Sequence, residues 1–414
     1  MLRIIHTADI HLDSPLAGLA AKAGDRANDL VGATRRAFTA MIDYAIREAV
    51  DLVLIAGDLY DGDWKDFSTG LFFAAEMARL ERAGIRVMII KGNHDAENLM
   101  TRSLTCPRNV RIFEHRKPET YILEDLGVAV HGQSFPKRDV TDNLAHAYPE
   151  PVAGLLNIGM LHTAADGGYG HTPYAPCSVQ DLAGKGYDYW ALGHVHKRTV
   201  LSEDPWIVFP GNLQGRHANE VGNKGFTLIT ADAQSIASVE HVPIDVVRWA
   251  QVRADVNDCA DLETVLDRIR EQLTRALDEA DGRTLAVRLT IEGKTAAHRR
   301  IAGNIAQMHA ECTSLLDQCG GDIWLEKVVI GTAEPNAPAA ASADAFAELF
   351  RTIQELEADP ALTAALAAEF RSGLDRMPPK ARELAGLAEF DDDQLAAVLE
   401  GAGATLRHYL FDAR

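Results

Sequence analysis

LVLIAGD (Leu52–Asp58) and VMIIKGNHD (Val87–Asp95) are the two most informative stretches of the chain. Each begins with consecutive apolar residues, several of them β-branched, which is typical of a strand buried on both faces. Each then reaches a glycine that is followed by carboxylate or amide side chains. Similar apolar runs predict six further strands: Leu2–Ile5, Val128–Val130, Ile158–Leu161, Tyr189–Leu192, Trp206–Phe209 and Phe226–Ile229.

Helical patterns lie between the first predicted strands. Apolar residues recur at helical spacing from Arg35 to Ala49, and again from Phe67 to Ala83, where Gly84 ends the pattern. Strand–helix–strand alternation predicts a βαβ-type sheet. After about Ile122 the helical patterns thin out and strands dominate, which indicates a second sheet packed on the first. The predicted fold class is therefore α/β, with a two-sheet sandwich flanked by helices over residues 1–245.

The remainder of the chain has a different organisation. Residues 246–333 predict a small α+β cap domain, with strands at 249–256, 284–293 and 323–330 and helices at Leu262–Leu277 and Ala297–Gln318. Residues 334–343 are rich in alanine and proline and predict a linker. Residues 344–414 predict a helical C-terminal region, because apolar residues recur there at helical spacing.

Composition narrows the function classes. The chain has 41 basic and 60 acidic residues, a net charge of −19, which argues against general affinity for nucleic acid. Any nucleic-acid site must therefore be a local basic patch or a metal cluster. The five cysteines form no CxxC pair, and no apolar run approaches about 18 residues. These features predict a reduced, cytoplasmic protein that does not associate with a membrane.

Five short motifs, each following an apolar run, carry the chemistry. Carboxylate, amide or imidazole side chains just past the carboxyl ends of strands are typical of sites in α/β sheets. Residues two apart in an extended segment point the same way, so a D-x-H or H-x-H motif aims two donors into one cleft. The motifs are Asp9-Ile10-His11, Gly57-Asp58, Gly92-Asn93-His94-Asp95, Leu161-His162 and Gly193-His194-Val195-His196.

These donors are too many for one divalent ion. They fit two ions that share a carboxylate, about 3.5–4 Å apart. Mixed oxygen and imidazole ligands suit manganese, iron, cobalt or zinc better than Mg²⁺ or Ca²⁺, and of these four we expect Mn²⁺. For any single motif, a buried histidine or a turn aspartate is a competitive explanation. Two alternatives are also open for Asp61: it either contacts and orients a metal ligand, or it caps a turn.

The order of the five motifs resembles the calcineurin-like metallophosphoesterase superfamily, whose pattern is D-x-H, GD, GNH[DE], H and GHxH. Within it, IIHTADIHLDSPL (4–16), LIAGDLYD (54–61) and IKGNHD (90–95) resemble the SbcD-type DNA nucleases. The longer arrangement is most similar to YhaO-like bacterial DNA repair exonucleases.

This resemblance implies roles for individual residues. His94 would stabilise or protonate the reacting phosphoester, Asp95 would orient His94, and a water activated by two ions would be the nucleophile. Asp9, His11, Asp58 and His196 would hold one ion, and Asp58, Asn93, His162 and His194 the other. Apart from the resemblance, the basic residues that are candidates for contact with substrate phosphates are Lys65, Lys137, Arg138, Lys197, Arg198 and Arg216. Solvated surface charge is the alternative for each, and Lys197 and Arg198 are favoured because they adjoin His196.

The resemblance also implies a function, namely a metal-dependent DNA exonuclease, or also an endonuclease, in DNA repair. A metallophosphatase acting on a phosphoprotein or small nucleotide is the first alternative, and a non-catalytic scaffold subunit of an ATPase complex is the second. The implied partners are DNA and an SMC-like ATPase that docks on residues 344–414, and a homodimer stays open. Packing of those helices on the chain's own core is the competing explanation.

Overall fold

The computed structural model describes residues 1–14, 32–61, 68–96, 106–165, 174–232 and 235–335. The chain divides into two compact units, Met1–Pro335 and Asn336–Arg414. The second unit lies outside the described residues, so the predicted C-terminal helices and most of the predicted linker stay predictions. The predicted boundary between residues 245 and 246 also stays a prediction.

The described residues form fifteen strands and seven α-helices. They form the strands β1 (Leu2–Thr7), β2 (Leu52–Ala56), β3 (Arg86–Ile90), β4 (Val110–Ile112), β5 (Glu119–Leu123), β6 (Val128–Gly132), β7 (Leu156–His162), β8 (Tyr189–Gly193), β9 (Thr199–Glu203), β10 (Trp206–Phe209), β11 (Gly225–Ala231), β12 (Ile236–Pro243), β13 (Val247–Asp255), β14 (Thr284–Lys294) and β15 (Ile323–Ala333). They form the helices α1 (Ala33–Arg47), α2 (Ser68–Arg82), α3 (Asn93–Ala96), α4 (Val179–Ala183), α5 (Leu262–Glu279), α6 (His298–Gly303) and α7 (Ile305–Cys319).

The first sheet has the strand order β12-β11-β1-β2-β3-β4. Strands β1 to β4 run parallel, with α1 between β1 and β2 and α2 between β2 and β3, as the βαβ pattern predicts. Helix α1 buries Phe38, Met41 and Ile42 in the core beneath this sheet. Strands β11 and β12 extend the sheet by antiparallel pairing with β1 and with each other.

The second sheet has the order β5-β6-β7-β8-β10-β9 and packs on the first. The core between the two sheets includes Leu54 of β2, Ile158 of β7 and Ala191 of β8. All eight strands predicted from apolar runs are present, and the predicted two-sheet α/β class is confirmed. Strands β4, β5, β9 and β12 were missed because they lie at or next to sheet edges and expose many of their side chains.

The third sheet, of order β13-β14-β15, is parallel and carries α5 and α7 on one face. The three strands and both helical regions agree with the elements predicted for residues 246–333. The predicted helix Ala297–Gln318, however, is two helices that break at Asn304, where φ is −146° and ψ is 80°. The Asn304 side chain accepts a hydrogen bond from the Gln307 amide at 3.0 Å, so it caps the start of α7.

Among the residues that the structure describes, no helix is both long enough and apolar enough to cross a bilayer.

Candidate metal centre

All five sequence motifs lie at one edge of the sandwich. The D-x-H motif follows β1, Asp58 follows β2, Asn93 and His94 begin α3 just after β3, and the last two motifs end or follow β7 and β8. Carboxyl ends of parallel strands meet at one edge, so side chains that are far apart in the chain converge. Four of these residues have positive φ, which is rare for residues with a Cβ: Asp9 (51°), His11 (47°), Asp58 (50°) and His194 (107°).

Glycines allow the strand ends to approach one another closely. At Gly57, where φ is 96°, an added Cβ would lie 2.4 Å from His162 Nδ1. At Gly193 an added Cβ would lie 2.0 Å from the Ala56 carbonyl oxygen. Since real Cβ atoms do not approach so closely, the donor cluster forms only because these positions lack a side chain.

One half of the cluster contains Asp9, His11 and His196, whose donor atoms all lie within 4.8 Å of one another. His11 Nε2 and His196 Nε2 are 3.3 Å apart, and His196 Nε2 is 4.0 Å from Asp9 Oδ1. Two nitrogens that each lie about 2.1 Å from a tetrahedral ion are about 3.4 Å apart, so the imidazole pair has the spacing of a shared ligand site.

The other half contains Asp58, Asn93 and His162. His162 Nε2 lies 3.0 Å from Asn93 Oδ1 and 3.5 Å from Asp58 Oδ2, and His162 Nδ1 lies 2.9 Å from the Ala56 carbonyl oxygen. A carbonyl can only accept, so Nδ1 carries a proton, and Nε2 faces two further acceptors, which favour a proton or a metal ion on it. A cation at this point would satisfy all three lone pairs, so the donor set fits a metal ion.

The electrostatics of the cluster also favour a cation. Burial alone would raise the pKa of Asp58, but His162 beside it holds that pKa below its usual range. Burial would lower the pKa of His162, but Asp58 and Asp9 raise it to about 9. These buried carboxylates therefore stabilise positive charge at the position where His162 Nε2 points.

The structure places the remaining predicted residues of the motifs nearby. His194 lies beside His162, with ring centroids 5.4 Å apart, and its backbone amide donates to Asp9 Oδ1 and Oδ2 at 3.1 and 3.0 Å. Among the described residues, the aspartates and histidines form three groups of converging donors: Asp9, His11 and His196; Asp9, Asp58 and His162; and His11, Asp58 and His94. His194 is in none of these groups, whereas His94, predicted to act on substrate, is in the last.

Asp95 does not occupy the position that the resemblance implies. Its carboxylate accepts hydrogen bonds from the backbone amides of Leu59, Tyr60 and Gly92 at 3.1, 2.9 and 3.2 Å. Burial, together with the neighbouring Asp58, raises its pKa to about 7. Asp95 thus ties the two motif loops together, and Asp61 Oδ1 lies 3.5 Å from His94 Nδ1.

Two carboxylates behind the centre contact its imidazoles. Asp61 Oδ1 lies 3.2 Å from His11 Nδ1, an ion-pair distance without the geometry of a hydrogen bond. Glu220 Oε1 lies 2.6 Å from His196 Nδ1. Glu220 was not predicted, because a glutamate 24 residues beyond the last motif carries no local signal.

The centre opens into a cleft of about 820 Å³. Lys197 and Arg216, both predicted to contact substrate, line this cleft, as do Arg138 and Lys224. Arg198 is not among the lining residues, so its predicted contact with substrate has no support from its position. It lies close to His6, where burial and then the Arg198 charge help to hold the imidazole pKa near 3.

Comparison with known families agrees with this geometry. Residues 2–198 match the calcineurin-like phosphoesterase family, which covers all five motifs. Residues 249–333 match the middle domain of the metallophosphoesterase YhaO. This second match covers the third sheet and its helices.

Individual relatives point the same way. The uncharacterized metallophosphoesterase YhaO of Bacillus subtilis is 36% identical over 296 residues, which is 70% of this chain and 72% of that protein. The DNA double-strand break repair protein Mre11 of Sulfurisphaera tokodaii is 26% identical and covers 65% of this chain and 69% of its own. Mre11 of Halobacterium salinarum is 25% identical and covers 71% and 72%.

Calcineurin-like phosphoesterases are hydrolases that use a two-metal centre, and the converging donors described above fit that chemistry. With all five motifs, the YhaO middle domain and a relative that is 36% identical over most of both proteins, the chain belongs to the calcineurin-like metallophosphoesterases, in the family of YhaO.

Proposed function

We propose that this metallophosphoesterase is a Mn²⁺-dependent DNA exonuclease, with endonuclease capacity as an extension, that acts in DNA repair in the cytoplasm. The observation that carries the proposal is the convergence of oxygen and imidazole donors at the base of a cleft with basic residues on its wall. The Mre11 relatives, which are named for double-strand break repair, support DNA as the substrate.

The chain's own residues would divide between two ions. Asp9, His11 and His196 would hold one ion, Asn93, His162 and His194 would hold the other, and Asp58 would be shared. Bound ions supply a water of lowered pKa and neutralise the charge of the phosphoester. The mixed oxygen and nitrogen ligands favour manganese over magnesium.

We propose that His94 acts on the substrate, and its position at the cleft supports this role. Its side chain is about one third exposed and lines the cleft, and its backbone amide donates to Asp58 Oδ1 at 2.9 Å. With Nδ1 facing Asp61, the ring can present Nε2 to the phosphoester. There it can donate a hydrogen bond to the phosphoryl group or a proton to the leaving oxygen.

The basic wall of the cleft explains how an acidic protein can bind a polyanion. Lys197 and Arg138 are exposed at the cleft, whereas Lys224 is buried and donates to the His196 carbonyl at 2.8 Å. Phosphate contacts made by lysine and arginine position nucleic acid without reading its sequence. An SMC-like ATPase bound to residues 344–414 is part of the proposal, and it would add to this limited surface.

The test incubates end-labelled single- and double-stranded DNA with Mn²⁺ and compares the wild type with His94→Ala. We expect the wild type to shorten labelled strands, and the variant to retain its bound manganese but lose at least about 100-fold in rate. A chelator should abolish the wild-type reaction, and added Mn²⁺ should restore it.

A nitrophenyl phosphoester assay run in parallel separates the substrate classes. If the protein hydrolysed a phosphomonoester rapidly but left DNA intact, the metallophosphatase function would be favoured over the nuclease function. Metal-free protein that hydrolyses neither substrate with any divalent ion would favour the scaffold alternative. Full activity of His94→Ala with its metal unchanged would refute the role of His94.

A further inference from the structure

His162 and the two imidazoles of the other half of the proposed metal centre have different groups beside their Nδ1 atoms. In the half that contains Asn93, the His162 Nδ1 proton points at a backbone carbonyl, that of Ala56, at 2.9 Å. In the other half, a carboxylate lies beside Nδ1 of each imidazole. Glu220 accepts a hydrogen bond from His196 at 2.6 Å, and Asp61 lies 3.2 Å from His11 as an ion-pair contact without hydrogen-bond geometry.

Glu220 is buried, and both of its oxygens are engaged. Oε1 accepts from His196 Nδ1, while Oε2 accepts from Asn212 Nδ2 at 2.8 Å and from the Arg216 backbone amide at 2.6 Å. The glutamate is only 7% exposed. A carboxylate fixed by three donors holds the His196 ring in one orientation, with Nδ1 protonated and Nε2 directed at His11 Nε2.

Asp61 is fixed in a similar way. It accepts from Ser14 Oγ at 2.8 Å, and its Oδ1 lies 3.3 Å from Arg216 Nη1. The same guanidinium reaches the other carboxylate, with Nη2 3.8 Å from Glu220 Oε1. Arg216 therefore spans the two carboxylates, and we call Asp61, Arg216 and Glu220 the carboxylate strut.

A carboxylate partner fixes the tautomer of an imidazole ligand and raises its basicity more than a neutral carbonyl does. We propose that the carboxylate strut positions His11 and His196 and so sets the metal affinity of that half of the centre, independently of the half that contains Asn93 and His162. This inference rests on the metal centre of the proposed function. Asp61 and Glu220 are positioning residues, since neither is among the proposed ligands.

The substitution Glu220→Gln tests the strut with little change of shape. Glutamine has one acceptor oxygen, whereas the site presents at least three donors, and His217 Nε2 also lies 3.3 Å from Oε1, so an amide group must face at least one of them. Asp61→Asn is the second variant, on a partly exposed side chain that supports the other imidazole of the same half. Glu203→Gln is the matched control, because Glu203 is an exposed glutamate on β9.

Metal-stripped proteins are titrated with Mn²⁺ alone by isothermal calorimetry, and bound ions are followed by electron paramagnetic resonance. We expect two equivalents in the wild type and in Glu203→Gln. In Glu220→Gln and in Asp61→Asn, one equivalent should keep its affinity while the other weakens about 10- to 100-fold. The spectrum of a magnetically coupled ion pair should give way to that of a single ion at one equivalent.

Double variants identify the half that is weakened. Adding Asn93→Ala to Glu220→Gln should remove the remaining tight ion, whereas adding His11→Ala should leave it in place. Unchanged binding in both strut variants, or equal weakening of both ions, would overturn the inference. A wild type that binds fewer than two ions would instead overturn the proposed two-metal centre, so the two failures are distinguishable.

Discussion

At the scale of single residues, the donors sit on a strained backbone that the surrounding loops hold in place. Asp9, His11 and Asp58 all have φ near +50°, and such conformations cost about 1–3 kcal/mol each. The Asp9 amide donates to the Gly57 carbonyl at 3.0 Å, and the His11 amide donates to the Asp58 carbonyl at 3.1 Å. These backbone hydrogen bonds join the first two motifs. They hold the residues with positive φ in the conformation that brings the donors together.

Glycine substitutions test this close approach. Gly57 and Gly154 both have positive φ, 96° and 80°, but an added Cβ at Gly154 meets nothing within 4 Å. We expect Gly154→Ala to lower stability by about 1 kcal/mol, from the backbone conformation alone, with Mn²⁺ binding unchanged. Gly57→Ala should lose Mn²⁺ binding, because the methyl group displaces His162. Calorimetric titration and thermal unfolding measure both effects, and wild-type binding by Gly57→Ala would contradict this account.

At the scale of elements, helix α7 depends on a local cap as well as on packing. It buries Met308, Cys312, Leu315 and Leu316 in the core under the third sheet. Helical periodicity continues across residues 297–318, yet the helix is interrupted at Asn304. The Asn304 side chain accepts a hydrogen bond from the Gln307 amide and so starts a new helix. Asparagine competes for backbone hydrogen bonds in this way, which favours helix starts over helix interiors.

Asn304→Ala should therefore lower the free energy of unfolding by about 1 kcal/mol, since the first turn of α7 loses its side-chain acceptor. Asn304→Gly should lower the free energy of unfolding by only about 0.3 kcal/mol, because glycine tolerates the cap conformation and exposes the amides to water. Urea denaturation of both variants measures the difference. If alanine were as stable as the wild type, the cap would contribute nothing to α7.

At the scale of the whole molecule, the charge is unevenly distributed, because a basic cluster lies on a chain whose net charge is negative. The chain carries −19, yet Arg138, Lys197, Arg216 and Lys224 gather at one cleft. Part of this positive charge is neutralised inside the fold, because Arg216 is paired with Asp61. Few exposed cations then face the substrate, so binding to DNA should be weak and sensitive to salt.

Lys197→Gln should reduce the slope of log affinity against log salt concentration for single-stranded DNA by about 0.7, since one phosphate contact is lost. Lys117→Gln removes an exposed lysine between β4 and β5, away from the cleft lining, and should leave the slope unchanged. Fluorescence anisotropy in the His94→Ala background measures binding without cleavage. Equal slopes for the wild type and Lys197→Gln would place the DNA elsewhere.

The sequence by itself determined the local features of this protein. Apolar runs predicted the central strands, because a strand buried on both faces has few polar residues, and the five motifs predicted every proposed donor of the centre. Edge strands such as β5 were missed because their exposed side chains leave no such run.

Only the tertiary structure decided what stands behind the donors. It placed Asp61 and Glu220 against imidazoles 50 and 24 residues away in the chain, paired Asp95 with backbone amides, and kept Arg198 out of the cleft lining. Such contacts depend on how separate loops meet in space. A single carboxylate or guanidinium belongs to no repeating sequence pattern from which its partner could be predicted.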